Sequence, residues 1–336
     1  MRVTIKQIAE ELGINHSTVS RVLNDKQSHL VSAATRERTI QTADRMGYRP
    51  SRIAQALQGK KTNLIGVFLP DEEDEFLQEA VRSLRHTVEE SGYELMIFAS
   101  PPDRIAQNWH RLLQWDLDGA FVFDYMFYVD GLSEALTKHM GYVPPIVGLF
   151  SQKTQLADYV TVDFAPAVEA LLTHLSQLGC RRYGYMALPT SFTPAEQRFH
   201  IYSSFVASHG FERIDMPLPP ASTIMEAARE CVATWIADKK PLPDALFCQN
   251  DEIAVGAYKG LHDAGIRVPA DLMLAGCDNV PFVAYFETPL TTITLPVNDV
   301  CRTAWSILHN RLSHPEAAPT HVSFPAKLKL RESTSR

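Results

Sequence analysis

From residue 64 onward the chain alternates short apolar runs with amphipathic stretches, and that alternation restricts the fold more than any other feature of the sequence. LIGVFLP (64–70) is continuously apolar, the pattern of a short strand buried on both faces. The next stretch, FLQEAVRSLRHTVEESG, changes period: Phe76, Leu77, Ala80, Val81, Leu84 and Val88 recur at three- and four-residue spacing, and Gly92 supplies a stop. The same alternation predicts further strands at 93–99, 119–123, 145–150, 159–162, 182–188, 245–249 and 272–277. Between them it predicts helices at 103–115, 131–140, 165–178, 194–209, 224–238 and 251–264. Such a pattern implies parallel sheets with helices on both faces. Two successive series imply two lobes, and sheets of this kind bind ligands beyond the carboxyl ends of their strands.

The first sixty residues read differently. In TIKQIAEELGINHSTVSRVLN (4–24), Ile5, Ile8, Ala9 and Leu12 mark one helix, Gly13 breaks it, and Asn15 is placed to cap a second with Val19, Val22 and Leu23 on its apolar face. This is helix-turn-helix spacing, with Ala9 small where the helices would cross and Val19 filling the space between them. His16, Ser17, Ser20 and Arg21 then project outward; His16 and Ser17 are placed to read base edges, and Arg21 to reach a guanine or a phosphate. Spacing alone also fits a helical hairpin docked on the rest of the protein. A third helix is predicted from about Ser32 to Met46. SRIAQALQG (51–59) has helical spacing, with Pro50 ahead and Gly59 as a stop, but is too short for a stable isolated helix.

Charge separates the two parts. The 336 residues carry a net −7, yet residues 1–61 hold eleven Lys/Arg against five Asp/Glu. That segment is therefore +6 and the remainder −13, an asymmetry that suggests an appended module with an anionic partner. The polar Lys60-Lys61-Thr62-Asn63 marks the boundary. Five widely spaced cysteines include no C-x-x-C pair, so they read as thiols in a reducing compartment and not as a metal or disulfide framework. The polar N-terminus lacks the apolar core of a secretory signal, and no window reaches about 18 uninterrupted apolar residues; a cytoplasmic location without membrane contact is expected. No phosphate-binding, zinc-protease or nucleophile-elbow motif occurs and the histidines are scattered, so neither catalysis nor a cofactor or metal is expected.

The head resembles the DNA-binding domain of the LacI/GalR (lactose-repressor) family. The resemblance rests on Thr4-Ile5, Ile8-Ala9, Gly13, Thr18-Val19-Ser20-Arg21-Val22-Leu23-Asn24, Val31-Ser32, Thr35-Arg36, Gly47-Tyr48-Arg49-Pro50, Ala54 and Leu57. Gln7, Leu12, Asn15 and Ser51 depart from the family's usual Asp, Ala, Ser and Asn. The resemblance implies that Thr4, Thr18, Ser20, Arg21 and Asn24 contact the backbone or a base of double-stranded operator DNA, with His16 and Ser17 discriminating the site. It also implies a hinge helix that forms on the operator, in which Leu57 wedges into the minor groove and Ala54 lines the same face.

The resemblance extends over the rest of the chain through Gly66 and Pro70, Asp118-Gly119, Val162-Asp163, Gln249-Asn250-Asp251, Gly256-Ala257, Val268-Pro269, Gly276-Cys277-Asp278-Asn279, Pro289 to Ile293 and Arg331 to Thr334. It implies a small all-α helix-turn-helix head on a two-lobed α/β core of parallel sheets like the type I periplasmic binding proteins. The expected organisation is a head at 1–50, hinge and linker at 51–61, and an effector-binding and dimerisation core at 62–336. Within that core, lobe 1 is expected at about 62–161 and 293–321, lobe 2 at about 162–292 and 322–336, with crossings near 160–164, 290–296 and 320–326. By resemblance, Arg198 grips effector oxygens, Asn250 and Asp278 bond effector hydroxyls, and Phe76 packs over the ligand. Read as isolated residues, Asp278 and Asn250 are equally well explained as helix caps. Ile201 stands where the family's arginine motif has Gly, Leu149-Phe150-Ser151 lacks a usual acidic residue, and no aromatic lies between 213 and 234. The expected effector is therefore a small polar metabolite: a sugar, a sugar acid or a sugar phosphate, with Lys153 or Arg181 as further cations. The chain ends soon after its last strand, without an added leucine-heptad helix, so a homodimer is expected. The expected function is an effector-responsive transcriptional regulator, a repressor of a carbohydrate or sugar-acid operon with a pseudo-palindromic operator. The alternatives are an activator or dual regulator, and a sugar-binding protein of the transport class, which would need an export signal and no basic head.

Overall fold

A computed structural model describes residues 3–23, 30–48, 61–70, 75–100, 115, 117–123, 145–150, 157–193 and 195–335. The chain divides into two compact units separated at Leu64/Ile65, the first of which also takes in Asp118.

The N-terminal unit contains helices α1 (Ile5–Leu12), α2 (His16–Leu23) and α3 (Ala33–Arg45). Thr4 and Gln7 start α1 with a capping box, in which the Gln7 amide donates to Thr4 Oγ1 at 3.4 Å and the Thr4 amide donates to Gln7 Oε1 at 2.9 Å. Gly13 ends α1 at φ 64°, a conformation glycine adopts without a Cβ penalty. Asn15 Oδ1 accepts from the Ser17 amide at 2.9 Å, so α2 begins where the sequence predicts. Ser32 caps α3, and the Arg45–Glu11 pair at 2.8 Å links α3 back to α1. Ile8, Ala9, Val19 and Ala43 are the buried centre of this unit.

The second unit consists largely of two six-stranded sheets. Its elements run β1 (Leu64–Pro70), α4 (Glu75–Glu89), β2 (Glu94–Ser100), β3 (Gly119–Phe123), β4 (Ile146–Leu149), β5 (Asp158–Asp163), α5 (Ala165–Gln177), β6 (Arg182–Ala187) and α6 (Gln197–Ser208). They continue with β7 (Glu212–Pro217), α7 (Ile224–Ala237), β8 (Ala245–Cys248), α8 (Asp251–Asp263), β9 (Met273–Asp278), β10 (Thr291–Thr294), α9 (Val297–Arg311), β11 (His321–Pro325) and β12 (Lys327–Lys329). Sheet 1 has the order β11-β5-β4-β3-β1-β2 and sheet 2 the order β12-β10-β9-β8-β6-β7. The central strands β1, β3 and β4 are buried at every residue, as continuous apolar runs require when helices cover both faces.

Strand pairing revises several expectations. Strand β10 pairs with β9 in sheet 2, and β11 pairs with β5 in sheet 1 through Pro325↔Asp163. The chain therefore passes between sheets after Thr294 and again at Ala326, within the crossings expected near 290–296 and 320–326 and a few residues beyond the lobe boundaries placed at about 293 and 321. Ala326 donates to the Asp163 carbonyl at 2.9 Å, joining two crossings side by side. Sheet 2 is not wholly parallel, because β12 returns antiparallel to β10 directly after that crossing. Strand β7 was not anticipated: it is an edge strand of sheet 2, and within ERIDMP only Ile214 and Met216 are buried, too short an alternation to stand out. Helix α9, also unanticipated, packs on α4 and buries Val297, Val300, Cys301, Ala304, Trp305 and Leu308. Helix α6 begins at Gln197 and not at 194, because Glu196 caps it by accepting from the Phe199 amide at 2.7 Å. The helix expected at 131–140, the hinge at 51–59 and most of the helix expected at 103–115 lie outside the described residues. All five cysteines are buried and none is in a disulfide.

Candidate DNA interface and effector site

In the head, the apolar positions of α2 face inward, with Val19 fully buried and Val22 nearly so. That orientation leaves His16, Ser17 and Arg21 exposed and Thr18 and Ser20 half-buried. His16 and Ser20 are four residues apart, as are Ser17 and Arg21, so each pair shares one stretch of the outward surface. His16 and Ser17 stand in the first turn, where backbone N–H groups point outward and favour an anion. Thr4 is exposed, and its hydroxyl takes part in the capping box of α1. Asn24, Ala54 and Leu57 lie outside the described residues.

In the second unit, three of the four expected effector residues converge at the carboxyl ends of β8 and β9. Arg198, on the first turn of α6, donates from Nε to Glu196 Oε1 at 2.7 Å and from Nη1 to the Gln249 carbonyl at 2.8 Å. Its Nη1 lies 3.8 Å from Cys277 Sγ, and its guanidinium stacks 4.9 Å over the Phe164 ring. Asn250 follows Gln249, and Asp278 follows Cys277, so both flank the guanidinium. The Asn250 side chain caps α8, accepting from the Ile253 amide at 2.9 Å, so the capping explanation of this residue holds. For Asp278 it does not: the short 3-10 turn Pro281–Tyr285 starts at Val280 without a side-chain cap, and Asp278 ends β9 at φ 112°. Phe76 is buried on α4 with its ring 4.7 Å edge-on to Phe150. Its neighbour Glu75 donates from the backbone to Glu252 Oε1 on α8 at 3.4 Å, which brings the two lobes together at this place.

Glu196, Phe164, Gln249 and Glu252 are the site residues that sequence reasoning missed. Glu196 holds three groups at once: Arg198, the Phe199 amide and the Tyr185 hydroxyl, which donates at 3.1 Å. Its only local signal is its position just ahead of a helix. Burial, reinforced by Asp278, raises the Cys277 thiol well above its ordinary value, so a neutral thiol sits beside Arg198. Arg181 lies at the opposite, amino end of β6, stacked 5.0 Å over Phe211, and is not a second cation for the site. Lys153 and the segments following β1, β3 and β4 lie outside the described residues. A cavity of about 480 Å³ on the outer face of α9, lined by Trp305 and His309 among others, contains none of these groups. Among the described residues no cluster of His, Cys, Asp or Glu suits a metal ion, and no helix is long and apolar enough to cross a membrane.

Asp251, in the first turn of α8, is fully buried beside this site. Burial pushes its carboxyl from 3.8 up to about 7 against the bonds from Thr292 and Val280 that lower it. A raised folded-state value contributes stability that is present below the unfolded value and is lost as pH rises through about 7. Asp251→Asn carries no such titration. Urea unfolding is therefore expected to show a larger wild-type advantage over Asp251→Asn at about pH 5 than at about pH 8; an equal gap would contradict the raised value.

The two units together define a class: a DNA-binding regulator in which a helix-turn-helix head is joined to a two-lobed ligand-binding core. Residues 4–51 match the model of bacterial regulatory proteins of the lacI family, and residues 172–334 match the periplasmic binding protein-like domain. The chain belongs to the LacI/GalR family of transcription regulators. It is 26% identical to the HTH-type transcriptional repressor PurR of Mannheimia succiniciproducens over 335 residues, covering 99% of each chain. Its fold is that of the lac repressor dimer bound to operator and an anti-inducer, with a TM-score of 0.85 at 23% identity over the whole of both chains. The transcriptional regulator CelR in complex with cellobiose has the same fold, with a TM-score of 0.69 at 21% identity, covering 99% of this chain and 100% of that one.

Proposed function

We propose that this protein is a homodimeric repressor of a carbohydrate-utilisation operon that binds a pseudo-palindromic operator and responds to a small polyhydroxylated effector. In this reading residues 1–50 are the DNA-binding head, 51–61 the hinge and 62–336 the effector and dimer core. His16 and Ser17 read bases, while Thr4, Thr18, Ser20, Arg21 and Asn24 hold the backbone or a neighbouring base; Leu57 and Ala54 enter the minor groove. Arg198, Asn250, Asp278 and Phe76 form the effector site. Relatives solved with operator or with cellobiose support this division of labour.

One observation carries the effector class. Arg198 is already paired with Glu196 at 2.7 Å, and Asp278 adds negative charge beside it. An incoming carboxylate or phosphate would meet a cation already neutralised by Glu196, with the Asp278 carboxylate beside it, in a poorly solvated place, a costly arrangement. Hydroxyl groups meet instead the planar donors of Arg198 and acceptors on Asp278. A neutral sugar is therefore favoured over a sugar acid or sugar phosphate.

The test has two readings. Selection of binding sites from random duplexes is expected to return a two-fold symmetric sequence, as a dimeric head requires. Affinity for that sequence should fall about 10³-fold or more between 50 and 200 mM salt, since several phosphates are neutralised. A single asymmetric half-site, or salt-independent affinity, would remove the dimeric operator reading.

A further inference from the structure

We propose that Asp251, Thr292 and Arg331 act together as a positioning clamp on the Asp278–Val280 turn, making the C-terminal Arg331–Thr334 segment a working part of the effector site. The inference rests on the reading of Asp278 as an effector contact.

The turn needs a clamp. Asp278 and Asn279 follow one another at φ 112° and φ 58°, and two successive non-glycine residues in that region persist only when their surroundings hold them. Each restraint is visible. The Val280 amide donates to Asp251 Oδ2 at 2.9 Å, and the Asn279 amide donates to Thr292 Oγ1 at 3.3 Å. The Thr292 hydroxyl in turn donates to Asp251 Oδ1 at 2.6 Å. From the other side, Arg331 Nη2 donates to Asn279 Oδ1 and Nη1 to the Leu290 carbonyl, both at 2.6 Å.

A purely structural role explains these bonds less well. Asn250 already caps α8, so the helix does not need the Asp251 carboxylate, and a fully buried carboxyl is costly. The sequence also keeps room for it, because a Cβ on Gly276 would lie 2.2 Å from Asp251 Oδ1. Arg331 is fixed by its own anchors: its amide donates to Thr291 Oγ1 at 2.8 Å, Thr291 and Thr334 hydroxyls lie 2.7 Å apart, and the Ser333 hydroxyl donates to the Leu274 carbonyl at 2.6 Å. The tail is thus tied to β9 and β10, and through Arg331 to the residue next to Asp278.

Hydrogen–deuterium exchange on the full chain tests the clamp in wild type, Thr292→Val, Thr292→Ser and Arg331→Lys. The Asn279 and Val280 amides are expected to exchange at least about tenfold faster in Thr292→Val and Arg331→Lys, with β6 and α7 unchanged. Thr292→Ser, which keeps the hydroxyl, should restore wild-type protection. Unchanged exchange at 279–280 overturns the proposal, and so does equal acceleration across the lobe, which would mark general packing. A second arm measures thermal shifts with D-ribose, cellobiose and D-glucose. A sugar that stabilises wild type should bind Arg331→Lys at least about tenfold more weakly; equal affinity overturns the positioning role. If none of the three shifts wild type, the effector reading fails for these sugars, and the exchange arm alone decides the clamp.

Discussion

Replacing Arg198 by methionine is expected to abolish the effector response, weakening effector binding about 100-fold or more while leaving operator binding intact. The guanidinium reaches the ends of both β8 and β9, at the Gln249 carbonyl and Cys277, and losing charged hydrogen bonds to a ligand costs about 1.5–3 kcal/mol. A second effect accompanies the first. Glu196 has only 16% of its side-chain surface exposed, and removing Arg198 leaves it with the Tyr185 and Phe199 bonds but without this countercharge, a loss of about 3–5 kcal/mol in stability. The two effects separate in a double mutant. Arg198→Met with Glu196→Gln should recover most of the stability, because no buried charge is left unpaired, but none of the effector affinity. Calorimetric titration and urea unfolding on wild type and the two variants measure both. Recovery of affinity in the double mutant would show that Arg198 only neutralises Glu196 and does not touch the effector.

Val19→Asp should remove specific DNA binding altogether. Val19 is fully buried among Ile8, Ala9 and Ala43, a centre so small that it cannot absorb an unpaired carboxylate. Unfolding of the head discards the register of His16, Ser17 and Arg21, and operator affinity should fall to the non-specific level, at least about 10³-fold. The second unit has its own cores, so thermal unfolding of that unit and its shift by effector should be unchanged. Fluorescence anisotropy with operator duplex and a thermal scan of the same sample check both halves. Retained specific affinity would mean that the helix-turn-helix is not the DNA-reading element.

The head was legible because its signals are local. Thr4, Gly13, Asn15 and Ser32 each act on residues two to four positions away, and Val19 and Val22 recur at helical spacing. Strands β1, β3 and β8 were placed closely for the same reason: apolar runs of strand length have few alternatives. Where signals were weak, the expectation slipped. The edge strand β7 buries only two side chains, and β11 and β12 are separated by a single residue although they belong to different sheets.

The sequence by itself determined the two-part design: a basic helix-turn-helix head, a doubly wound two-lobed core, and Arg198, Asn250 and Asp278 as residues to examine. Only the tertiary structure decided what those residues do. It paired Arg198 with Glu196 and the Gln249 carbonyl, made Asn250 a cap, and tied Asp278 through Asn279 to Arg331. It also buried Asp251 under the turn and fixed the lobe crossings at Leu295–Pro296 and Ala326, within the ranges read from the sequence. The reason is one of range. Helix periods and caps act within a turn of chain, whereas the Arg198–Gln249 bond spans 51 residues, the Asp251–Thr292 bond 41 and the Asn279–Arg331 bond 52. Contacts at that separation leave no periodic trace in the sequence, and they arise only when sheet order brings the strand ends together.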